Sequence, residues 1–183
     1  MGAWLAGALV IASVLTLGCG GGAAEAAVGV STGSRAPTPV ELELRTPDGA
    51  FVDVGDLRGA PALLFLFATF DGVSQAALAP LRRFVRHHPD VPVVGIAVQP
   101  DAAMLVDAWS LALAPPFTVT YDPNGVIAEG TSDLGQVEAV PTYVLLDARG
   151  LVTERHVGFA SQRKLDRMLG DNIDGADHAP PQE

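Results

Sequence analysis

Asp71 and Ser74 are polar residues that stand where a buried apolar run changes into a helical pattern. A carboxylate before a helix can accept its free N–H groups, and Ser74 takes this role if the helix begins later. Together the two side chains can instead form part of a polar rim that grips a peptide or small ligand. Neither can attack a disulfide sulfur, because that chemistry requires a thiolate. The pair therefore indicates a cap or a binding position, and no catalytic residue is assigned.

Cys19 is the one cysteine of the sequence. A single thiol cannot form an intramolecular disulfide, a four-thiolate zinc site or a dithiol redox pair. It follows the apolar stretch of residues 4–17, which is shorter than the roughly 20 residues of a spanning helix and has the length of a signal-peptide core. Gly18 and Cys19 resemble a bacterial lipobox, which predicts lipid attachment at Cys19. The alternatives are a cysteine that lies beside a cleavage site by chance and a short uncleaved anchor.

Charge and histidine content exclude several other functions. The chain has 11 Lys and Arg against 21 Asp and Glu, a net charge of −10, which argues against nucleic-acid binding. His87 and His88 are adjacent, so on a helix they point about 100° apart and suit its negative end better than a metal. No metal or cofactor is expected. A hydrolase based on Ser74 or Ser110 ranks last, because neither serine lies in a Gly-x-Ser-x-Gly motif.

Short apolar runs alternate with amphipathic segments along the rest of the chain. This alternation predicts an α/β sandwich with a mixed central sheet flanked by helices. The predicted strands span residues 40–45, 51–54, 61–67, 91–98, 117–121, 142–147 and 151–156. The predicted helices span residues 74–88, 101–113 and 161–169. The helices and buried strands together predict one folded domain.

Composition divides the chain into four parts. Residues 1–18 are predicted to be a lipoprotein-type signal peptide, and residues 19–39 a lipidated cysteine with a flexible Gly, Ala, Ser and Pro tether. Residues 40–170 form the folded domain. Residues 171–183 carry several aspartates and two prolines, which predicts an acidic disordered tail.

Four segments of the folded domain occur in the order found in one family. They are residues 59–70 (GAPALLFLFATF), 93–98 (VVGIAV), 121–125 (YDPNG) and 140–150 (VPTYVLLDARG). Together they resemble the thioredoxin-like superfamily, in its branch of membrane-anchored thiol-disulfide reductases of the TlpA and redoxin kind. The resemblance covers residues 40–170 and implies a thioredoxin-like fold. It also implies that Pro141, in Val-Pro-Thr, follows a cis peptide bond and faces the site.

The chain departs from this family at the redox motif. Where the family has Cys-x-x-Cys, this sequence has Asp71 and Ser74, and counting back from Pro80 gives Gly72 and Gln75 instead. Neither alignment contains sulfur.

The resemblance therefore makes Asp71, Ser74, Pro141 and Thr142 degenerate active-site positions. The expected function is a lipid-anchored binding or assembly module of the bacterial cell envelope, facing the extracytoplasmic side. Its expected partners are the membrane, through the anchor, and a protein or peptide at the degenerate site. The alternative, which family membership implies, is a thiol-disulfide oxidoreductase or an antioxidant protein of the peroxiredoxin class.

Overall fold

One mixed sheet organises the part of the chain that the computed structural model describes, residues 38–176. The predicted signal peptide, Cys19 and nearly all of the predicted tether lie outside these residues. The strands are β1 (Glu43–Arg45), β2 (Phe51–Asp53), β3 (Ala62–Phe67), β4 (Val93–Ala97), β5 (Thr118–Tyr121), β6 (Thr142–Leu146) and β7 (Val152–Val157). The helices are α1 (Gly72–His87), α2 (Ala102–Leu113) and α3 (Gln162–Ala176), and a short 3-10 helix spans Val54–Leu57.

The sheet has the strand order β2-β1-β5-β4-β3-β6-β7. β3 pairs in parallel with β4, and β4 with β5, whereas the remaining neighbours are antiparallel. α1 and α2 are therefore crossover helices, and each begins beyond the carboxyl end of the strand that precedes it. This arrangement confirms the predicted α/β sandwich with a mixed sheet.

The helices cover one face of the sheet. β3 is buried along its whole length, as its unbroken apolar run predicts. On the helical face, the ring of Phe65 stacks on Phe67 with centroids 5.5 Å apart, and Phe67 stacks on Trp109 of α2 at 4.4 Å. Apolar residues of α1 and α3 complete this cluster. The aromatic column thus fixes α2 against the central strands.

The other face is covered by irregular segments and the first strand. Val40, Leu42 and Leu44 are buried there at alternate positions, as their spacing predicts. Ile127 and Leu134, from the connection between β5 and β6, pack on the same cluster. Among the described residues, no helix is long and apolar enough to cross a membrane.

Gly95 allows an aromatic ring to lie directly against β4. A Cβ atom at this position would lie 2.6 Å from Cε2 of Phe117, far closer than carbon atoms approach in proteins. Phe117 in turn meets Phe65 edge to face, with centroids 6.0 Å apart. The missing side chain therefore makes room for the segment that leads into β5.

Most element boundaries differ from the sequence predictions by one or two residues, and three of the differences have consequences for the site or the domain limits. α1 begins two residues earlier than predicted, at Gly72, because Asp71 caps it. β1 comprises only the last three residues of the predicted strand. α3 extends to Ala176 and not to residue 169, so the first residues of the predicted acidic tail are helical. Gly170 accounts for this error, since a glycine after an apolar residue is typical of a helix end but here lies within the helix.

Candidate functional site

The degenerate active-site positions meet at one edge of the sheet. β3 leads through residues 68–71 into α1, and its Leu66 pairs with Thr142, the first residue of the antiparallel strand β6. Thr142 also pairs with Val157, the last residue of β7. The start of α1, the start of β6 and the end of β7 therefore share this edge. The structure brings together the segments that the sequence analysis assigned to the site.

Asp71 is the N-cap of α1 and is bonded to Ser74. Its Oδ2 atom accepts hydrogen bonds from the Ser74 backbone N–H at 2.7 Å and from the Ser74 hydroxyl at 2.6 Å. Ser74 is fully buried, whereas Asp71 is partly exposed. The hydrogen bond from the Ser74 hydroxyl is the main reason that the pKa of Asp71 lies below its ordinary value. The capping interpretation of Asp71 is confirmed.

The geometry favours one of the two alignments with the family's redox motif. The side chains of Asp71 and Ser74 are in direct contact, as two residues of a Cys-x-x-Cys pair have to be. Gln75 is exposed, and its amide donates to the Thr69 carbonyl at 3.1 Å. A Cβ atom on Gly72 would meet no other atom within 4 Å. This contact favours the alignment of Asp71 and Ser74 with the two cysteines of the family's motif.

Pro141 and Thr142 line the inner side of this edge. The Val140–Pro141 peptide bond is cis, which confirms the prediction from the family resemblance. The carbonyl of Pro141 accepts a hydrogen bond from the Gly158 N–H at 2.7 Å. The Thr142 side chain is buried, and its hydroxyl donates to the Ala139 carbonyl at 2.6 Å.

These contacts correct the prediction of a polar rim. Ser74, Pro141 and Thr142 are all buried, so they present no polar surface to solvent. The hydroxyls of Ser74 and Thr142 are used in internal hydrogen bonds, and the Asp71 carboxylate is used in the cap. No histidine is hydrogen-bonded to Ser74 or Ser110 within residues 38–176, which gives no support to a hydrolase.

Apolar side chains occupy the solvent side of the same edge. We call them the apolar rim: Phe70, Val73, Val157 and Phe159, with exposed fractions of 75%, 44%, 48% and 52%. Phe70 immediately precedes the Asp71 cap, and Phe159 follows Gly158, which is bonded to Pro141. Large apolar side chains that are exposed at one edge of a domain are a mark of binding surfaces. What the site offers to a ligand is therefore apolar contact.

Gln99 holds the turn that carries Phe70. Its buried side chain accepts from the Thr69 N–H at 2.6 Å and donates to the Thr69 hydroxyl at 2.6 Å. The sequence analysis missed Gln99, because it lies 30 residues away along the chain, after β4. It also missed the apolar rim. An exposed aromatic residue at the end of a strand was the available signal.

The two adjacent histidines at the end of α1 each have a hydrogen-bonding partner on α3. His88 Nε2 lies 3.0 Å from Asp166 Oδ1, and His87 Nδ1 lies 2.5 Å from Gln162 Nε2. Within the described part of the chain, no group of three or more His, Cys, Asp or Glu residues is placed to hold a metal ion. The two histidines therefore connect the end of α1 to α3.

The fold and the site define the class of this protein. A mixed sheet, a capped helix that follows its central strand, and a cis-proline opposite the helix start are the features of a thioredoxin-like protein, here without the two cysteines. Residues 31–169 match the model of the Redoxin family. The chain belongs to the Redoxin family.

Individual relatives agree with this assignment. The chain is 25% identical over 142 residues to the thioredoxin-like protein YneN of Bacillus subtilis, covering 78% of this chain and 81% of that protein. It is 28% identical over 129 residues to the thiol:disulfide interchange protein DsbE of Vibrio cholerae, covering 70% and 66%. It also resembles the crystal structure of a secreted Mycobacterium tuberculosis disulfide oxidoreductase homologous to Escherichia coli DsbE. That match has a TM-score of 0.59 and 25% identity, over 71% of this chain and 95% of the other.

Proposed function

We propose that this chain is a non-catalytic thioredoxin-like protein that binds apolar segments of other polypeptides at the apolar rim. The observation that carries the proposal is the set of residues at one edge of the sheet, which lacks thiols and exposes aromatic side chains. The positions of the two thiols hold Asp71 and Ser74 bonded to each other, and the surface around them exposes Phe70 and Phe159. The binding surface thus has aromatic contacts to offer without a nucleophile beside them.

The alternative is the thiol-disulfide chemistry named for the DsbE relative. Disulfide exchange proceeds through a mixed disulfide, which needs a thiolate within the domain. The one cysteine of the sequence is Cys19, outside residues 31–169 that match the Redoxin family. The same argument applies to thiol-dependent peroxide reduction. An oxidoreductase or antioxidant role by family membership is therefore the second candidate.

We also propose that the protein works in the bacterial cell envelope, held by lipid on Cys19 and facing the extracytoplasmic side. The support is the apolar stretch before Cys19 and the secreted location named for the Mycobacterium tuberculosis relative. Two or more acyl chains hold a protein stably on a membrane. Cys19→Ala is expected to release the protein from membranes or to block its maturation. Unchanged membrane retention and mass in that variant would contradict the anchor.

The binding role is tested with a fluorescent, unfolded, apolar peptide that contains no cysteine. We expect it to bind the full chain in neutral detergent and to lose most of its affinity in the Phe70→Ser, Phe159→Ser variant. Phe51→Ser is the matched control, because Phe51 is 68% exposed on β2, away from the rim. Equal affinity in the rim variant and the control would refute the binding role. Turnover of a model disulfide or a peroxide by the unaltered chain would refute its non-catalytic nature.

A further inference from the structure

Basic residues are concentrated on two helices of this acidic protein. The chain has 11 Lys and Arg in all and a net charge of −10. Six of these 11 lie on α1 and α3: Arg82, Arg83, Arg86, Arg163, Lys164 and Arg167. α1 itself contains no carboxylate. With the three aspartates of α3 counted, the two helices carry six basic against three acidic residues, in a chain whose net charge is −10.

A cavity of about 530 Å³, which we call the α1–α3 pocket, lies in the surface of these two helices. Its size is that of ordinary ligand sites. It is lined by Arg83, Ser161, Gln162, Arg163, Asp166 and Arg167. Arg163 and Arg167 are four residues apart, which places them on the same side of α3. Arg83 reaches the pocket from α1, where its Nε donates to Gln162 Oε1 at 3.2 Å.

Among the described residues, no carboxylate forms an ion pair with the three guanidinium groups of the pocket. Ion pairs in the described part of the chain join Arg58 to Glu41, His88 to Asp166, Arg149 to Asp147 and Lys164 to Glu154. Arg83, Arg163 and Arg167 are in none of them, although the chain has almost twice as many acidic as basic residues. Asp166, the one carboxylate among the lining residues, lies 3.0 Å from His88, so the lining holds three guanidinium groups against one carboxylate. Positive charge is therefore left over inside a concave surface.

We propose that the α1–α3 pocket binds a phosphate group through Arg83, Arg163 and Arg167. The guanidinium fork donates paired hydrogen bonds to the oxygens of phosphate, and three forks from two helices suit an anion with several oxygens. α3 also begins at the pocket, so the positive end of its dipole adds to the attraction. The site is separate from the apolar rim and does not depend on the proposed peptide binding.

The phosphate can belong to a soluble molecule or to the head group of an anionic phospholipid, and one titration distinguishes them. The full chain in zwitterionic detergent is titrated with inorganic pyrophosphate, and separately the micelles are doped with phosphatidylglycerol. Backbone amide resonances of residues 161–167 are followed by NMR. A response to pyrophosphate supports a soluble ligand, and a response to the doped micelles alone supports a lipid head group.

The Arg163→Gln, Arg167→Gln variant is expected to bind the titrant at least about tenfold more weakly, because two of the three guanidinium groups are lost. The matched control is Arg45→Gln, Arg149→Gln, which removes the same charge from β1 and from the turn between β6 and β7. Circular dichroism confirms that both variants are folded. The proposal is overturned if the unaltered chain responds to neither titrant, or if the control loses as much affinity as the pocket variant.

Discussion

Replacing Asp71 by alanine tests the central contact of the degenerate site. Loss of an N-cap costs about 0.5–2 kcal/mol. The buried Ser74 hydroxyl also loses its acceptor, and a buried group left unsatisfied costs about 1–3 kcal/mol. Because Asp71 is partly exposed, its charge adds little beyond these two contributions. We expect Asp71→Ala to lower the free energy of unfolding by about 2–4 kcal/mol at pH 7, measured by urea denaturation of the full chain in neutral detergent.

Asp101→Ala is the matched control for this experiment. Asp101 is also the N-cap of a helix, α2, but its side chain makes no capping hydrogen bond. Its removal therefore costs only an interaction with the helix dipole, below about 1 kcal/mol. If Asp71→Ala destabilises the chain by less than about 0.5 kcal/mol, or no more than Asp101→Ala does, the contact with Ser74 is not the one that stabilises α1.

The same contact predicts a pH dependence with a defined sign. The pKa of Asp71 is lowered in the folded protein, mainly by the hydrogen bond from Ser74. The stabilisation is therefore complete above the ordinary aspartate pKa of about 3.9 and is lost as the pH falls through the folded value. The difference in stability between the parent and Asp71→Ala should shrink below about pH 4. In Asp71→Asn, which still caps the helix, this contribution to the pH dependence should be absent.

Two further predictions concern packing and chemistry. Gly95→Ala should lower the free energy of unfolding by about 1–3 kcal/mol in urea denaturation, because its Cβ would clash with Phe117. Adding Phe117→Leu should restore part of this loss. Gly72→Ala is the control and should be neutral or stabilising, because its Cβ meets no atom within 4 Å. Asp71→Cys with Ser74→Cys should create a thiol pair at the helix start that reacts with a thiol probe faster than an unfolded control and closes reversibly. An inert pair would mean that these two residues do not occupy the thiol positions.

Local patterns were sufficient to predict the elements that build the site. β3 is buried along its whole length, as its apolar run predicts. Leu78, Leu81 and Phe84 form part of the buried side of α1, as their helical spacing predicts. These patterns succeed because burial on a strand or a helix is periodic along the chain. The end of α3 was missed because Gly170 carries a termination signal that the helix does not use.

The chemistry of the site was harder to predict than its location. The hydroxyl of Thr142 could have faced solvent or the loop, and only the fold turns it toward Ala139. Gln99 and Thr69 interact across 30 residues, a distance that no local pattern covers. Phe159 is a single aromatic residue between small neighbours, so no periodicity distinguishes it from a core residue. Whether a side chain of the apolar rim is exposed depends on how several segments pack at this edge, so no single segment predicts it.

The hydrogen bond from the Val40 N–H to the Gly150 carbonyl, 2.9 Å long, attaches the first described residues to the turn after β6. Gly150 follows β6, whose far end pairs with the beginning of β3, so this bond lies at the pole of the sheet opposite Thr142. The length of β6, about 17 Å for a five-residue strand, therefore separates the point where the backbone enters the domain from the edge that holds Thr142. Changes to the backbone around Val40 should therefore leave the hydrogen bonds of the α1 cap intact.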